Sequence, residues 1–335
     1  IPATLLLGAE GIAVGMSTRI LPHNFNEVLQ AQISYLEEKP FELFPDFLTG
    51  GFLDVTQYNE GNGKIRVRAK IEVVNDKTLV IREVPYGVTT ESLISSVQDA
   101  VNKNRFKLAS INDFTTDQVE IELKTARGYH TDKLIKQLYA YTQCEQNISL
   151  NLLVIRNNQP VLSSVSDVIR YNTDRLKNLL RNELELALAK TRRQWHQKRL
   201  EMYFIEEKVY RKLEDSESYE EALKRVEMAM KPLAEELSAP ILKEDIEKLL
   251  TIQIKRISRF DQQAGLKELK ELEKKIRELK RSLNNIKLFT IQYIQQLKEK
   301  YGSSFPRKSR LETFDEVRME EVMEEQKVFW DRSSG

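Results

Sequence analysis

The feature that most restricts the fold is a seam of apolar residues, Leu269, Leu272, Ile276, Leu279, Leu283 and Ile286, stepping alternately by three and four through a Lys/Glu-rich segment. That spacing puts the six side chains on one narrow stripe of an α-helix, and such a stripe stays wet unless a second helix covers it. The expected partner is an earlier helix from about Ser166 to Tyr203, lined on one side by Leu176, Leu180, Leu184 and Leu188. Shorter helices lie between them, with breaks expected at Asp215–Tyr219, Pro232 and Pro240. Two long helices so separated imply an antiparallel arm with a small helical knob at its tip. The arm ends near Tyr301, because Gly302 and Pro306 cannot continue it. On its own, a seam of this kind reads as a structural spacer.

The chain before the arm has a different texture. From Lys64 to Val73 it alternates, with Ile65, Val67, Ala69 and Ile71 on one face and Lys64, Arg66, Arg68 and Lys70 on the other, which is the period of a half-buried strand. A turn at Asn75-Asp76 and the run Lys77–Val84 make a hairpin. Residues 90–104 place Leu93, Ile94, Val97 and Val101 on one helical face, residues 117–124 alternate again, residues 131–142 read as a second helix, and residues 147–158 as a closing strand. The block is a compact α+β unit. Its basic face has two readings: a stripe turned toward phosphates, or the wet side of a sheet offset by Glu120 and Glu122.

Composition removes several classes of function. Charged residues are 31% of the 335-residue chain, yet the net charge is only +1, so a nucleic-acid contact must come from local clustering. One cysteine, Cys144, leaves no disulfide framework and fits a reducing cytoplasm. His23, His130 and His196 are scattered, no acid–histidine–nucleophile set emerges, and neither a dinucleotide fingerprint nor a Gly-Lys-Ser phosphate loop is present. No cofactor is expected in this chain, no apolar run is long enough for a membrane span, and an Ile1-Pro2 start reads as a piece of something longer. On the knob, Ile205, Val209, Leu249, Leu250, Ile252 and Ile254 sit on short helices too few to cover them all, which points to a homodimer through that region.

The stretch from Ile1 to Leu29, IPATLLLGAEGIAVGMSTRILPHNFNEVL, resembles the segment that follows the active-site region in A subunits of bacterial type IIA DNA topoisomerases, gyrase and topoisomerase IV. There Ile-Pro, a Leu-rich strand, Gly-Ile-Ala-Val-Gly-Met and Pro-His-Asn occur in this order. The likeness continues through PDFLTGG, the α+β block, the long helices, LLTIQIKRISRFD and KYGSSFPRKSR. TTESLI and SINDFT resemble topoisomerase IV more than gyrase.

The resemblance implies an α+β, mainly helical chain: residues 1–35 from a winged-helix DNA-gate region, a tower at 36–164, coiled-coil arms at 165–203 and 261–302, an exit-gate dimerisation domain at 204–260, and a return segment and linker at 303–335. It implies that Ile12 wedges between base pairs, with Arg19, His23 and Asn24 on the same DNA-binding surface, and that Gly8 and Gly11 permit close approach. It further implies double-stranded DNA as substrate, partnership with a B subunit in an A2B2 assembly, and Mg2+ and ATP on that B subunit. The nucleophilic tyrosine of the family is not matched; the neighbourhood of Tyr171, IRYNTD, mimics it but falls at the root of the arm. A condensin-like coiled-coil adaptor and a plain winged-helix regulator are the competing readings, the first expecting heptads along most of the chain and the second no long arm.

Overall fold

The computed structural model describes residues 1–126, 130–213, 216–237, 239–252 and 262–314. The chain divides into two units, Ile1–Asp174 with Tyr293–Gly335, and Arg175–Gln292.

The first unit opens with α1 (Ala3–Leu7). The Leu-rich strand expected there is thus a helical turn: Pro2 stands at its N-terminus, where a missing N–H costs nothing, Leu5 is fully buried, and Gly8 ends it at φ +71°. A two-stranded antiparallel hairpin follows, β1 (Ala9–Ala13) and β2 (Met16–Ile20), then α2 (Phe25–Leu36). One four-stranded sheet has the order β12-β3-β4-β9, formed by β3 (Phe52–Asp54), β4 (Lys64–Arg68), β9 (Glu145–Ser149) and β12 (Arg310–Leu311). A second has the order β5-β6-β8-β7, from β5 (Lys70–Asn75), β6 (Thr78–Glu83), β7 (Leu108–Asp113) and β8 (Ile121–Thr125). Helices α3 (Thr90–Asn102) and α4 (Thr131–Tyr141) contribute Leu93, Val97, Leu134 and Leu138 to the core over this second sheet. Thr89 caps α3 in a reciprocal box with Ser92, which satisfies two of the amides that open a helix.

Two expected strands are each divided. The alternating run from Lys64 changes sheets at Ala69, whose N–H donates to the Cys144 carbonyl at 2.8 Å and whose carbonyl accepts from the Tyr139 hydroxyl at 3.1 Å. Ile65 and Val67 bury in one core, Ala69 and Ile71 in another. Alternation reports which side of a strand is covered but not which sheet covers it, so the switch leaves the period intact. The closing strand likewise becomes β9 and β10 (Leu153–Arg156), the latter paired with β11 (Gln159–Leu162) across Asn157-Asn158, both at positive φ as a two-residue hairpin turn demands. Residues 302–314 return to the same unit: the Phe47 amide donates to Ser309 Oγ at 2.7 Å, and β12 runs parallel to β3.

The second unit is helical. It holds most of α5 (Val165–Glu206), then α6 (Tyr219–Glu236), α7 (Lys243–Leu250), α8 (Gln262–Asn284) and the start of α9 (Ile286–Tyr301). Leu180, Leu184 and Ile286 form a buried cluster edged by Leu176, Leu279, Leu283 and Phe289. Trp195 Nε1 donates to Glu273 at 3.2 Å and Lys198 pairs with Glu268 at 2.6 Å, so rising numbers on α5 meet falling numbers on α8 and the two helices are antiparallel. Helix α6 continues through Pro232, where a break was expected.

The knob corrects the exposure reasoning. Ile205, Val209 and Leu249 are buried in a core shared with Val226, Met230, Leu233 and Ile246, while Leu250 and Ile252 are half-buried at its edge. Leu200 and Phe204 at the end of α5 enlarge that core beyond the short helices alone. Ile254 lies outside the described residues. No helix among the described residues is long and apolar enough to cross a membrane.

Candidate nucleic-acid interface

The β1–β2 hairpin is built by its ends. Gly8 sits at φ +71°, and a Cβ there would lie 2.8 Å from the Ile20 carbonyl oxygen, so its glycine is required. Gly15, at φ +77°, closes the two-residue turn Val14-Gly15. Gly11 is different, since a Cβ there would meet only Thr18 Cγ2 at an ordinary 3.7 Å, and close approach is no reason for it within this chain. The base is pinned: Arg19 N donates to the Asn151 carbonyl at 2.9 Å, Thr18 Oγ1 donates to the same oxygen at 3.1 Å, and Asn151 Nδ2 donates to the Ser17 carbonyl at 2.7 Å.

Among the described residues the distal half carries no such anchors. Ile12 is 89% exposed, and Val14 at the turn and Met16 beyond it are exposed too. Apolar side chains this exposed have gained nothing from burial, so they do not serve this chain's core. Ile12 is therefore not the buried strand residue it could have been. Val14 and Met16, which sequence reasoning passed over, add to the apolar tip, Met16 opposite Ala13 on the other face of the hairpin from Ile12; the Ala-Val-Gly-Met turn inside an apolar run was their available signal.

The other residues expected on this surface have structural work. His23 is buried: its Nδ1–H donates to the Leu5 carbonyl at 3.2 Å, and Nε2 accepts from the Tyr58 hydroxyl at 2.8 Å. Burial pushes its pKa down to about 4, against the opposing pull of the Leu5 and Leu21 backbone. Asn24, also buried, caps α2 by accepting from the Asn26 and Glu27 amides and donates to Asp46 and the Phe305 carbonyl. Neither is free to meet DNA. Arg19 is half-exposed, but its Nε donates to Glu10 Oε1 at 3.0 Å and Nη2 reaches the same oxygen, across the strand pair Glu10–Arg19. Ile12–Ser17 is the neighbouring pair on that face.

The basic stripe is also corrected. Arg66 pairs with Asp54 at 2.6 Å and donates to the Phe314 carbonyl; Arg68 pairs with Glu145 at 2.5 Å and lies over the Tyr139 and Phe314 rings; Lys70 pairs with Glu72 at 2.9 Å. Lys64 alone of the four is exposed. Glu120 and Glu122 pair elsewhere, with Arg82 and Lys124. Asp54 anchors the group, accepting from the Thr56 amide and hydroxyl and from the Phe314 amide, and it is held well below the ordinary carboxylate range by those bonds and Arg66 in spite of desolvation. These charges were spent on holding β3, β4 and the returning chain together.

Among the described residues no group of three or more His, Cys, Asp or Glu is placed to hold a metal ion. Tyr171 projects from α5 beneath the Arg156 guanidinium, 4.5 Å from its ring centroid.

A pinned hairpin with an apolar, exposed tip, set on an α+β unit and followed by a long antiparallel helix pair, defines a class that comparison with known proteins identifies. Residues 1–298 match the family model that describes the A subunit of DNA gyrase/topoisomerase IV. The chain belongs to that family. It is 41% identical over 96% of its length to the DNA topoisomerase 4 A subunit of Borreliella burgdorferi, of which it covers 51%. It is 32% identical over 57% of its length to the DNA gyrase A subunit of Lawsonia intracellularis, covering 26% of that protein, and 28% identical over 98% to that of Clostridium acetobutylicum, covering 41%. The chain thus spans about half the length of the topoisomerase 4 relative and less of these gyrase subunits.

Proposed function

We propose that the chain is the DNA-binding, DNA-bending and exit-gate portion of the A subunit of an ATP-dependent type II DNA topoisomerase, topoisomerase IV in preference to gyrase. Identity of 41% across nearly the whole chain to a topoisomerase 4 A subunit, against 28–32% to the gyrase subunits, supports the preference. The observation that carries the DNA-bending role is Ile12, an 89% exposed branched side chain near the tip of a hairpin fixed at its base. Pushed into a base step, such a side chain partly unstacks it, and the cost of a few kcal/mol is offset by the extra backbone contact a bent duplex allows.

In this reading the α+β block is the tower, α5 and α8 are the coiled coil, and the knob is the exit gate between two copies. Exposed Tyr219, Met228 and Leu242 suit that contact better than the buried Ile205, Val209 and Leu249. Strand cleavage belongs to a tyrosine outside this chain, and Mg2+ and ATP to a B subunit in an A2B2 assembly in the bacterial cytoplasm. The chain alone bends DNA and does not cut it.

The test is Ile12→Ala in the complete A subunit paired with its B subunit, with duplex bending read by energy transfer between end labels. Because the side chain is wet, folding and melting temperature are expected to be unchanged, and binding to persist through phosphate contacts. Bending and cleavage should fall together. A wild-type bend angle in the folded variant refutes the wedge.

A further inference from the structure

The hairpin that carries Ile12 has a neighbour of the same design. In β1–β2 the pair Ala13–Met16 closes the turn and Ile12 stands one pair below it, opposite Ser17. In β10–β11 the pair Arg156–Gln159 closes the turn and Ile155 stands one pair below it, opposite Pro160. Ile155 is 81% exposed, and Leu162, opposite Leu153, is 61% exposed.

The two hairpins are joined at their bases. Arg19 and Asn151 form an antiparallel bridge, the Arg19 amide donating to the Asn151 carbonyl at 2.9 Å and the Asn151 amide to the Arg19 carbonyl at 3.3 Å, and β10 continues beside β2. At Arg19 the chain is running back from its turn and at Asn151 it is running out toward the next, so both turns lie at the same end. Side chains opposite each other in an antiparallel pair share a face, and successive ones alternate. Ile20, Leu152 and Val154 therefore mark one face, and all three pack in the first unit's core. The other face takes Ile12, Ser17 and Arg19 from the first hairpin and Leu153, Ile155 and Leu162 from the second.

The part of this face on β10–β11 is apolar throughout: Leu153, Ile155, Pro160 and Leu162. Arg156 belongs to the opposite face, where its guanidinium lies over the Tyr171 ring. Phosphates would meet no cation among those four residues. Pro160 also takes an amide out of β11, which disfavours adding a further strand at that edge, so a partner meets the face. Apolar wedges enter a duplex from its minor groove, whose walls are the C–H edges of the deoxyriboses. β1 and β10 are the two neighbours of β2, about 10 Å apart at strand spacing, which is about three base-pair steps. A duplex opened at Ile12 thus brings the sugars of the flanking steps over Ile155 and Leu162.

Resting on the wedge reading of Ile12 for the identity of the ligand, we propose that Ile155 and Leu162 are a second apolar contact on the same duplex, packing on deoxyribose rings beside the step that Ile12 opens. The contact is with sugars, so it adds affinity and bend without adding to the salt dependence.

The test uses the complete A subunit paired with its B subunit and an end-labelled duplex titrated across a salt series, with affinity read by anisotropy and bend by energy transfer. Ile155→Thr combined with Leu162→Thr removes exposed apolar surface while keeping residues at home in strands, so the melting temperature should hold. Affinity should fall about tenfold and the bend should shrink, with the salt slope unchanged. Wild-type affinity and bend overturn the proposal. So does a flattened salt slope, which would put phosphates on this face. Loss of the B subunit from the variant, with DNA binding by the A subunit alone intact, also overturns it and makes the face a protein interface. Ile12→Ala in the same assay separates the two readings: if it bends DNA as wild type does while the Thr pair weakens binding, the wedge fails and the sugar contact stands; if it abolishes the bend while the Thr pair changes nothing, only the sugar contact fails.

Discussion

Protonating His23 should cost the first unit much of its stability. The ring is neutral in the fold because each nitrogen is committed, Nδ1–H to the Leu5 carbonyl and Nε2 to the Tyr58 hydroxyl, in a site closed to water. Its pKa of about 4 lies below the value of about 6.5 for an imidazole in the unfolded chain. Between those values the unfolded state binds a proton that the folded state refuses, so stability rises with pH and is lost as pH falls from about 6.5 toward 4. At ~1.4 kcal/mol per pKa unit the whole gap is worth about 3 kcal/mol, of which roughly 2 kcal/mol disappears between pH 7 and pH 5. Hydrogen exchange of the β4 amides, corrected for its intrinsic pH dependence, reads the first unit without interference from the second. In His23→Gln, whose side-chain oxygen can accept the Tyr58 hydroxyl without titrating, that part of the pH dependence should vanish. Direct titration of the His23 ring by NMR covers the case of a poorly folding variant. A ring midpoint near 6.5, or the same pH dependence in His23→Gln, refutes the burial account.

Two further outcomes follow from contacts in the same unit. Gly8→Ala forces a Cβ to 2.8 Å from the Ile20 carbonyl oxygen at φ +71°, and should lower stability by about 1–3 kcal/mol in urea unfolding, with a wild-type midpoint as the contrary result. Replacing Lys64, Arg66, Arg68 and Lys70 together by Ser should destabilise the sheet but change the salt slope of DNA binding by no more than about one, since only Lys64 is unpaired enough to meet phosphate; a loss of three to four would restore the phosphate stripe.

Periodicity determined a good deal unaided. The leucines of 176–188 and 269–286 announce their own packing because a heptad stripe encodes both the helix and its need for a partner, and the same holds for Leu93 and Val97 over the second sheet. The order of motifs around Gly-Ile-Ala-Val-Gly was enough to point to the family. Tertiary structure decided what those patterns leave free. Whether Ile12 is core or ridge depends on which elements reach the hairpin, and among the described residues only its base is reached. Whether Arg66 and Arg68 face phosphates depends on Asp54 and Glu145, one nearby and one far along the chain, and both arrive as ion partners. His23 and Asn24 look like polar surface residues in the motif but are buried, His23 against Leu5 and Tyr58 and Asn24 against a return segment carrying Phe305, hundreds of residues away. Apolar spacing is a local property of one element, whereas burial and charge pairing belong to whatever packs against it, and the chain does not carry that information at any single position.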